Sequence, residues 1–263
     1  MHIASLSSSS TYGNSYLVWD DDTRPVLIDC GVGLRYLLRC LDVMGFDPSD
    51  VAALFITHEH SDHIRGMTLS APIPQRFGFP VFASRGFWEW YDECVQRYID
   101  PGLRRVIGHG ETVRLSRGLC VRAFSKPHDA SEPLGFVVEG LDERVGFVTD
   151  LGHVPQKVER VLSGLEQLVF ESNHDVEMEK RSGRPWPLIR RVLGDLGHLS
   201  NVQAGETLAR LVGVDTRRVI LAHLSAQCNT PDMAMDAVSS ALDGCSGRPE
   251  LHTAPAGDLA VYE

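Results

Sequence analysis

One stretch constrains the chain more than any other: Phe55-Ile56-Thr57-His58-Glu59-His60-Ser61-Asp62-His63-Ile64-Arg65-Gly66. The apolar run at residues 51–56 reads as a short buried strand, and three histidines and two carboxylates follow it within six residues. Neutral imidazole and carboxylate at this density suit a bound cation. On an extended exit from the strand, His58 and His60 sit two residues apart and point to one side, so both rings reach a single ion. Asp62 and His63 fall where the chain turns into a helix, and neighbours there project in different directions. A second ion is favoured.

The 263 residues suffice for one large core, and no stretch reads as a linker, so residues 1–263 are expected to form a single domain. No run approaches the roughly 20 apolar residues of a membrane span. The start, Met1-His2-Ile3-Ala4-Ser5, lacks the basic and apolar regions of a secretory signal, and a soluble, cytoplasmic protein is the expectation. Cys30, Cys40, Cys94, Cys120, Cys228 and Cys245 form no Cys-x-x-Cys pair, as expected of buried thiols in a reducing compartment. A net charge of −10 argues against a broad basic face, though not a local one.

The chain opens as a β-meander, with strands expected at 2–6, 15–19 and 26–29 and a loop at 7–13. Residues 34–44 carry apolar positions at helical spacing, closed by Gly45. A strand at 80–83 precedes an aromatic helix at 86–98, read as core. Strands return at 112–115, 119–124, 135–139 and 144–149, and the alternation of strands and helices suits a duplicated sandwich. Another apolar strand ends at Glu171-Ser172-Asn173-His174. Ser200 or Asn201 caps a helix at 202–212, a strand at 214–221 delivers His223, and residues 231–242 close with an amphipathic helix. The tail, 251–262, carries no chemical signal.

The His-x-His-x-Asp-His pattern after an apolar strand resembles the metallo-β-lactamase superfamily of binuclear hydrolases. The resemblance implies an α/β fold, a four-layer αβ/βα sandwich with the metals at one edge. It also implies ligand sets: His58, His60 and His128 on one ion, Asp62, His63 and His223 on the other, and Asp150 bridging them. Asp29, after the third strand, matches the position that supports the metal loop. Two divalent ions bring about four positive charges, and Asp62, Asp150 and a hydroxide remove about three, a balance that suits a singly charged phosphodiester better than a neutral amide. The donor set suits zinc and manganese, with iron also compatible.

Gly197-His198-Leu199-Ser200-Asn201 resembles the motif of the superfamily's phosphodiesterase and nuclease branch, in which a histidine at a helix start protonates the leaving alkoxide. That resemblance makes His198 the expected general acid, Glu171 its carboxylate partner, and Asp62 a third catalytic group. Seven short motifs in order, from Ser5-Leu6-Ser7 with Gly13-Asn14-Ser15 to Ala222-His223-Leu224-Ser225, are similar to the bacterial YycJ/WalJ-type family. Ser9-Ser10-Thr11-Tyr12 departs from it, standing where the family has a more glycine-rich run. The basic segment 180–191, with Trp186 inside it, suits contact with a nucleic-acid backbone and a stacked base, and equally a solvated helix face. Arg184, Arg190 and Arg191 in that segment, together with Ser225 in the last motif, are the substrate-contact candidates. The expected function is therefore metal-dependent cleavage of phosphodiester bonds, in single-stranded nucleic acid, by metal-bound hydroxide. The alternatives are hydrolysis of a small ester, thioester or lactone, and a regulatory module with a structural metal site.

Overall fold

Alternation of side chains along each central strand splits the apolar residues between two cores. In the computed structural model, which describes residues 1–116 and 118–263, strand β3 (Val26–Ile28) turns Val26 and Ile28 one way and Leu27 the other. Strand β12 (Arg218–Ala222) divides likewise, with Ile220 and Ala222 on one face and Val219 and Leu221 on the opposite one. Ile28, Phe55, Phe136, Phe147, Val169 and Ile220 fill the space between two sheets. Leu27 and Leu54 instead meet helix α1 (Leu34–Val43) through Leu37 and Leu41. Leu168 and Leu221 meet helices α8 (Asn201–Leu211) and α9 (Pro231–Leu242) through Leu208 and Val238. The outcome is helix, sheet, sheet, helix, the four layers expected.

Each sheet has seven strands. The first contains β1 (His2–Ser9), β2 (Gly13–Trp19), β3, β4 (Ala53–Phe55), β5 (Val81–Ala83) and β6 (Arg104–Val106), with β14 (Ala260–Tyr262) beside β1. The second runs from β7 (Thr112–Ser116) through β8 (Leu119–Ser125), β9 (Leu134–Glu139), β10 (Arg144–Val148) and β11 (Gln167–Glu171) to β12 and β13 (Glu250–Thr253). Strands β3, β4 and β5 pair in parallel, as do β10, β11 and β12. Their carboxyl ends therefore gather at an edge of each sheet, where α/β folds bind ligands.

The structure differs from the sequence reading in four places. Residues 7–9 are not loop: β1 continues to Ser9, because Ser7, Ser8 and Ser9 pair with Ser15, Asn14 and Gly13 past a bulge after Ser5. Serines carry no apolar signature, and here backbone pairing holds the strand. The aromatic helix, α4 (Arg85–Trp90), loosens into a π-helical turn at Tyr91–Val95 and stops at Gln96, whose φ is 55°. The strand read at 214–221 begins only at Arg218. The unremarked tail supplies β13 and β14. All six cysteines are free, but only Cys30, Cys40 and Cys228 are the buried thiols expected, Cys94 being exposed and Cys120 and Cys245 half-buried. Among the described residues no helix is long and apolar enough to cross a membrane.

Helix α8 is capped by Ser200 rather than Asn201: the Ser200 hydroxyl accepts the Gln203 N–H, and the Gln203 side chain accepts the Ser200 N–H. That reciprocal pair anchors the helix that follows His198. Ser200→Ala is expected to cost about 1 kcal/mol of stability. Urea unfolding checks this, and an unchanged midpoint would show that the cap contributes nothing.

Candidate metal centre

The candidate ligand residues sit where strands end. His58 and His60 leave β4, and helix α2 (Ser61–Ile64) carries Asp62 and His63. His128 follows β8, Asp150 follows β10 and His223 follows β12. Three of these corners turn through the left-handed region at non-glycine residues, Asp29, Asp150 and His223, with φ of 57°, 58° and 58°. Such backbone costs about 1–3 kcal/mol per residue and persists only where its surroundings impose it. Here they do. The Asp29 carboxylate accepts from Thr57 N, Thr57 Oγ1 and His63 Nδ1 at 2.8, 2.8 and 2.7 Å, which ties β3 to the metal loop. The His223 N–H donates to Ser8 Oγ at 2.7 Å. Gly31 closes the Asp29 corner, because a Cβ there would lie 1.7 Å from the Asp62 carbonyl oxygen.

Ligand atoms of His58, His60 and His128 all lie within 4.8 Å of one another, and the same holds for Asp62, His63 and His223. Asp150 stands between the two groups. Its Oδ2 is 3.2 Å from His63 Nε2, and its Oδ1 is 3.5 Å from His223 Nδ1 and 3.8 Å from His128 Nε2. Asn14 Nδ2 donates to Asp62 Oδ2 at 3.0 Å. Glu59 faces away, its carboxylate accepting from Ser131 N and Oγ. Alternation along the extended segment puts His58 and His60 on one side and Glu59 on the other.

The donors fit divalent cations by three observations. His58 Nε2, Asp150 Oδ2 and His223 Nε2 are buried without a hydrogen-bond partner, an arrangement that a polar ligand atom adopts when a cation completes it. Burial, then nearby positive groups, keeps His58 neutral and pushes His128 down to about 3, leaving the uncharged imidazole that binds metal. At the other group, burial would lower His223, yet the Asp150 charge, the Asp62 carboxylate 3.5 Å from Nε2 and the bond with Glu171 push it up to about 10. Burial likewise works against a charged His63, and Asp150, Asp29 and Asp62 together raise it well above the ordinary value. These carboxylates call for positive charge at that spot.

Glu171 lies wholly buried at the end of β11 and takes five donors. His198 Nδ1 and His223 Nδ1 each lie 2.9 Å from its Oε1, and the N–H groups of Asp150, Leu151 and Leu199 complete its shell. Burial raises its pKa, but the His198 charge and the hydrogen bonds from His198 and His223 outweigh that and hold the carboxyl well below its usual range. His198 has a side-chain exposure of 12%, and its Nε2 has no protein partner among the described residues.

The substrate-contact candidates are dispersed. Arg184 donates to the buried Glu179 carboxylate and to Gln227, and Arg191 forms a two-pronged pair with Asp129. Arg190 is exposed on helix α7 (Trp186–Val192) with no ion-pair partner among the described residues. Ser225 is buried, its hydroxyl accepting the Cys228 N–H at 3.2 Å.

The beta-lactamase superfamily domain matches the chain over residues 24–224, and the chain belongs to this superfamily, the metallo-β-lactamase-fold hydrolases, which are metal-dependent. It is 31% identical over 243 residues to the exodeoxyribonuclease YycJ of Bacillus anthracis, a match covering 92% of this chain and 89% of that one. Among solved structures it is similar in fold to YhfI from Bacillus subtilis, with TM-score 0.72, 14% identity and 99% of both chains covered. It is also similar in fold to Zn(2+)-bound PqqB from Methylobacterium extorquens, with TM-score 0.71, 18% identity and 99% of both chains covered.

Sequence reasoning passed over Lys126. It is buried beneath the centre, donating from Nζ to the carbonyl oxygens of Thr149 and Asp150 at 2.6 and 2.7 Å, and burial pulls its pKa down. No pattern in the sequence marks a lysine beside Pro127 as interior. Lys126→Met strips both carbonyls of their donor and Asp150 of a nearby positive group. The expected destabilisation is roughly 1–3 kcal/mol, read from urea unfolding. A variant as stable as the parent would show that those carbonyls need no ammonium.

Proposed function

We propose that residues 1–263 form one hydrolase domain that holds two divalent ions and cleaves phosphodiester bonds in single-stranded nucleic acid. His58, His60 and His128 would hold one ion, Asp62, His63 and His223 the other, with Asp150 shared. When bound, such ions supply Lewis acidity that activates water and neutralises the phosphate. Zinc or manganese suits the donors, iron also being compatible, and the Zn(2+)-bound state of PqqB, which shares the fold, supports zinc. The exodeoxyribonuclease name of the Bacillus anthracis relative supports the substrate class.

The observation that carries this reading is the His198–Glu171 pair, 2.9 Å between Nδ1 and Oε1. With Nδ1 engaged by a fully buried carboxylate, the proton of Nε2 is the one free to leave. A water oxygen forms the new bond to phosphorus and gives up one proton to solvent, the bond from phosphorus to the sugar oxygen breaks, and His198 passes its Nε2 proton to that oxygen and regains one from solvent afterwards. Asp62, only half-buried and already oriented by Asn14, steers the attacking water. A sugar alkoxide is a poor leaving group and needs this proton, whereas a thioester or a lactam does not depend on it in the same way. For the nucleic-acid backbone, Arg190 is the first candidate contact, with Trp186, 60% exposed, on the same helix. Arg184 and Arg191 would have to exchange Glu179 and Asp129 for phosphate, and Ser225 would have to turn its hydroxyl from Cys228.

Replacing His198 with alanine should leave metal content and melting temperature close to those of the parent. On a dinucleotide, turnover should fall by roughly 10²- to 10⁴-fold. On a nitrophenyl diester, whose leaving group needs little protonation, the fall should be small. Equal losses on both substrates would make His198 a scaffold residue and favour hydrolysis of a small ester.

A further inference from the structure

Beside the metal centre, on the side of Asp62, lies a cavity of about 210 Å³ lined by Ser7, Tyr12, Gly33, Tyr36, Arg65 and Gly257. Two of its walls belong to segments already fixed by the centre. Arg65 follows helix α2, two residues beyond His63. Tyr12 ends the short turn between β1 and β2, and two residues later Asn14 holds Asp62 Oδ2 at 3.0 Å. The guanidinium of Arg65 donates to the Thr11 carbonyl oxygen at 3.4 Å, so the two walls touch across the mouth.

Tyr12 is 55% exposed, so much of its ring is open to the solvent. Its position is nonetheless set from below. Gly257, at φ 78°, packs against the ring root, and a Cβ there would come within 3.2 Å of Tyr12 Cγ. The Tyr36 hydroxyl donates to the carbonyls of Leu6 and Gly257, which fixes the floor. Arg65 is exposed and pairs with no carboxylate among the described residues, although the protein carries a net charge of −10. By contrast, Arg184 and Arg191 are both committed to carboxylates.

An anchored but uncovered aromatic ring beside an uncommitted guanidinium matches the two parts of a nucleotide, the π-face of a base and the charge of a phosphate. The volume falls below the roughly 300–1,000 Å³ of pockets that enclose a whole ligand, and so suits one nucleotide of a longer strand. We propose that this cavity is a subsite for single-stranded nucleic acid, in which Tyr12 stacks on the base of a nucleotide flanking the bond to be cut and Arg65 holds its phosphate. This inference rests on the nucleic-acid reading of the metal centre and adds to it a position at which one base is felt.

The test is binding of a fluorescein-labelled oligodeoxynucleotide, read by anisotropy immediately after mixing and before cleavage, with an oligoribonucleotide as a second arm. Tyr12→Ala should weaken binding by roughly 5- to 150-fold, the range for losing one base–aromatic stack, while Tyr12→Trp keeps the parent's affinity. Arg65→Gln should lower the slope of log affinity against log salt by about 0.7. An abasic site moved along the strand should reveal one position at which removing the base erases the effect of Tyr12→Ala. A parent that binds no oligonucleotide overturns the subsite, as does a Tyr12→Ala variant that binds like the parent, or an effect that persists at every abasic position. Hydrolysis is scored separately on bis(4-nitrophenyl) phosphate and on the same strand. A parent that binds with the Tyr12 signature but cleaves neither keeps the subsite and refutes the phosphodiesterase reading. A parent that cleaves both, with Tyr12→Ala binding unchanged, does the reverse.

Discussion

The buried carboxylate of Asp150 is the constraint on which the rest of this structure depends. A carboxylate removed from water is strongly unfavourable unless positive charge and donors surround it. Asp150 is 1% exposed, and His63, His128, His198 and His223 all lie within 3.8 Å of its oxygens. Burial would raise its pKa, but the charges of His223 and His63, the latter with Nε2 3.2 Å from Oδ2, hold the carboxyl well below its usual range. A single anion thus organises imidazoles delivered by both sheets. Divalent ions in place of protons satisfy the same electrostatic demand with more charge and fixed ligand distances.

The second sheet supplies the rigidity this needs. Parallel pairing of β10, β11 and β12 brings Asp150, Glu171 and His223 to one edge in register. Glu171 then binds the corner carrying Asp150, through the N–H groups of Asp150 and Leu151, and the segment carrying His198, through Leu199 N. Lys126 holds the same corner from beneath, and together these bonds impose the left-handed backbone at Asp150. Asp150 and His198 are therefore both set by a common carboxylate, that of Glu171. In an interior of low dielectric, such fixed groups act without reorganising during the reaction.

How much of this could be read from the sequence depends on how local each signal is. His58, His60, Asp62 and His63 are adjacent in the chain and declare themselves by density. His128, Asp150 and His223 are each one polar residue after a strand, a pattern shared with ordinary turns, and only resemblance to a family singled them out. The alternation of strands and helices suited a duplicated sandwich and the family resemblance implied its four layers, yet neither marked the serine strand at Ser7–Ser9 or the edge strands β13 and β14, because partner strands rather than side-chain pattern define them. Charge was the least legible property. The segment 180–191 reads as a free basic patch, but Arg191 meets Asp129, 62 residues away, and Arg184 meets a buried Glu179, so its available charge is much smaller than its composition suggests. Lys126, conversely, looks like surface and is interior.

The most direct measurement of this account is metal stoichiometry by elemental analysis at saturating zinc or manganese, on the parent and on Asp150→Ala. If one carboxylate joins two ion positions, the parent should retain two ions per chain and the variant should lose occupancy of both, whereas His128→Ala should chiefly empty one. One ion per chain in the parent, unchanged by Asp150→Ala, would contradict the account.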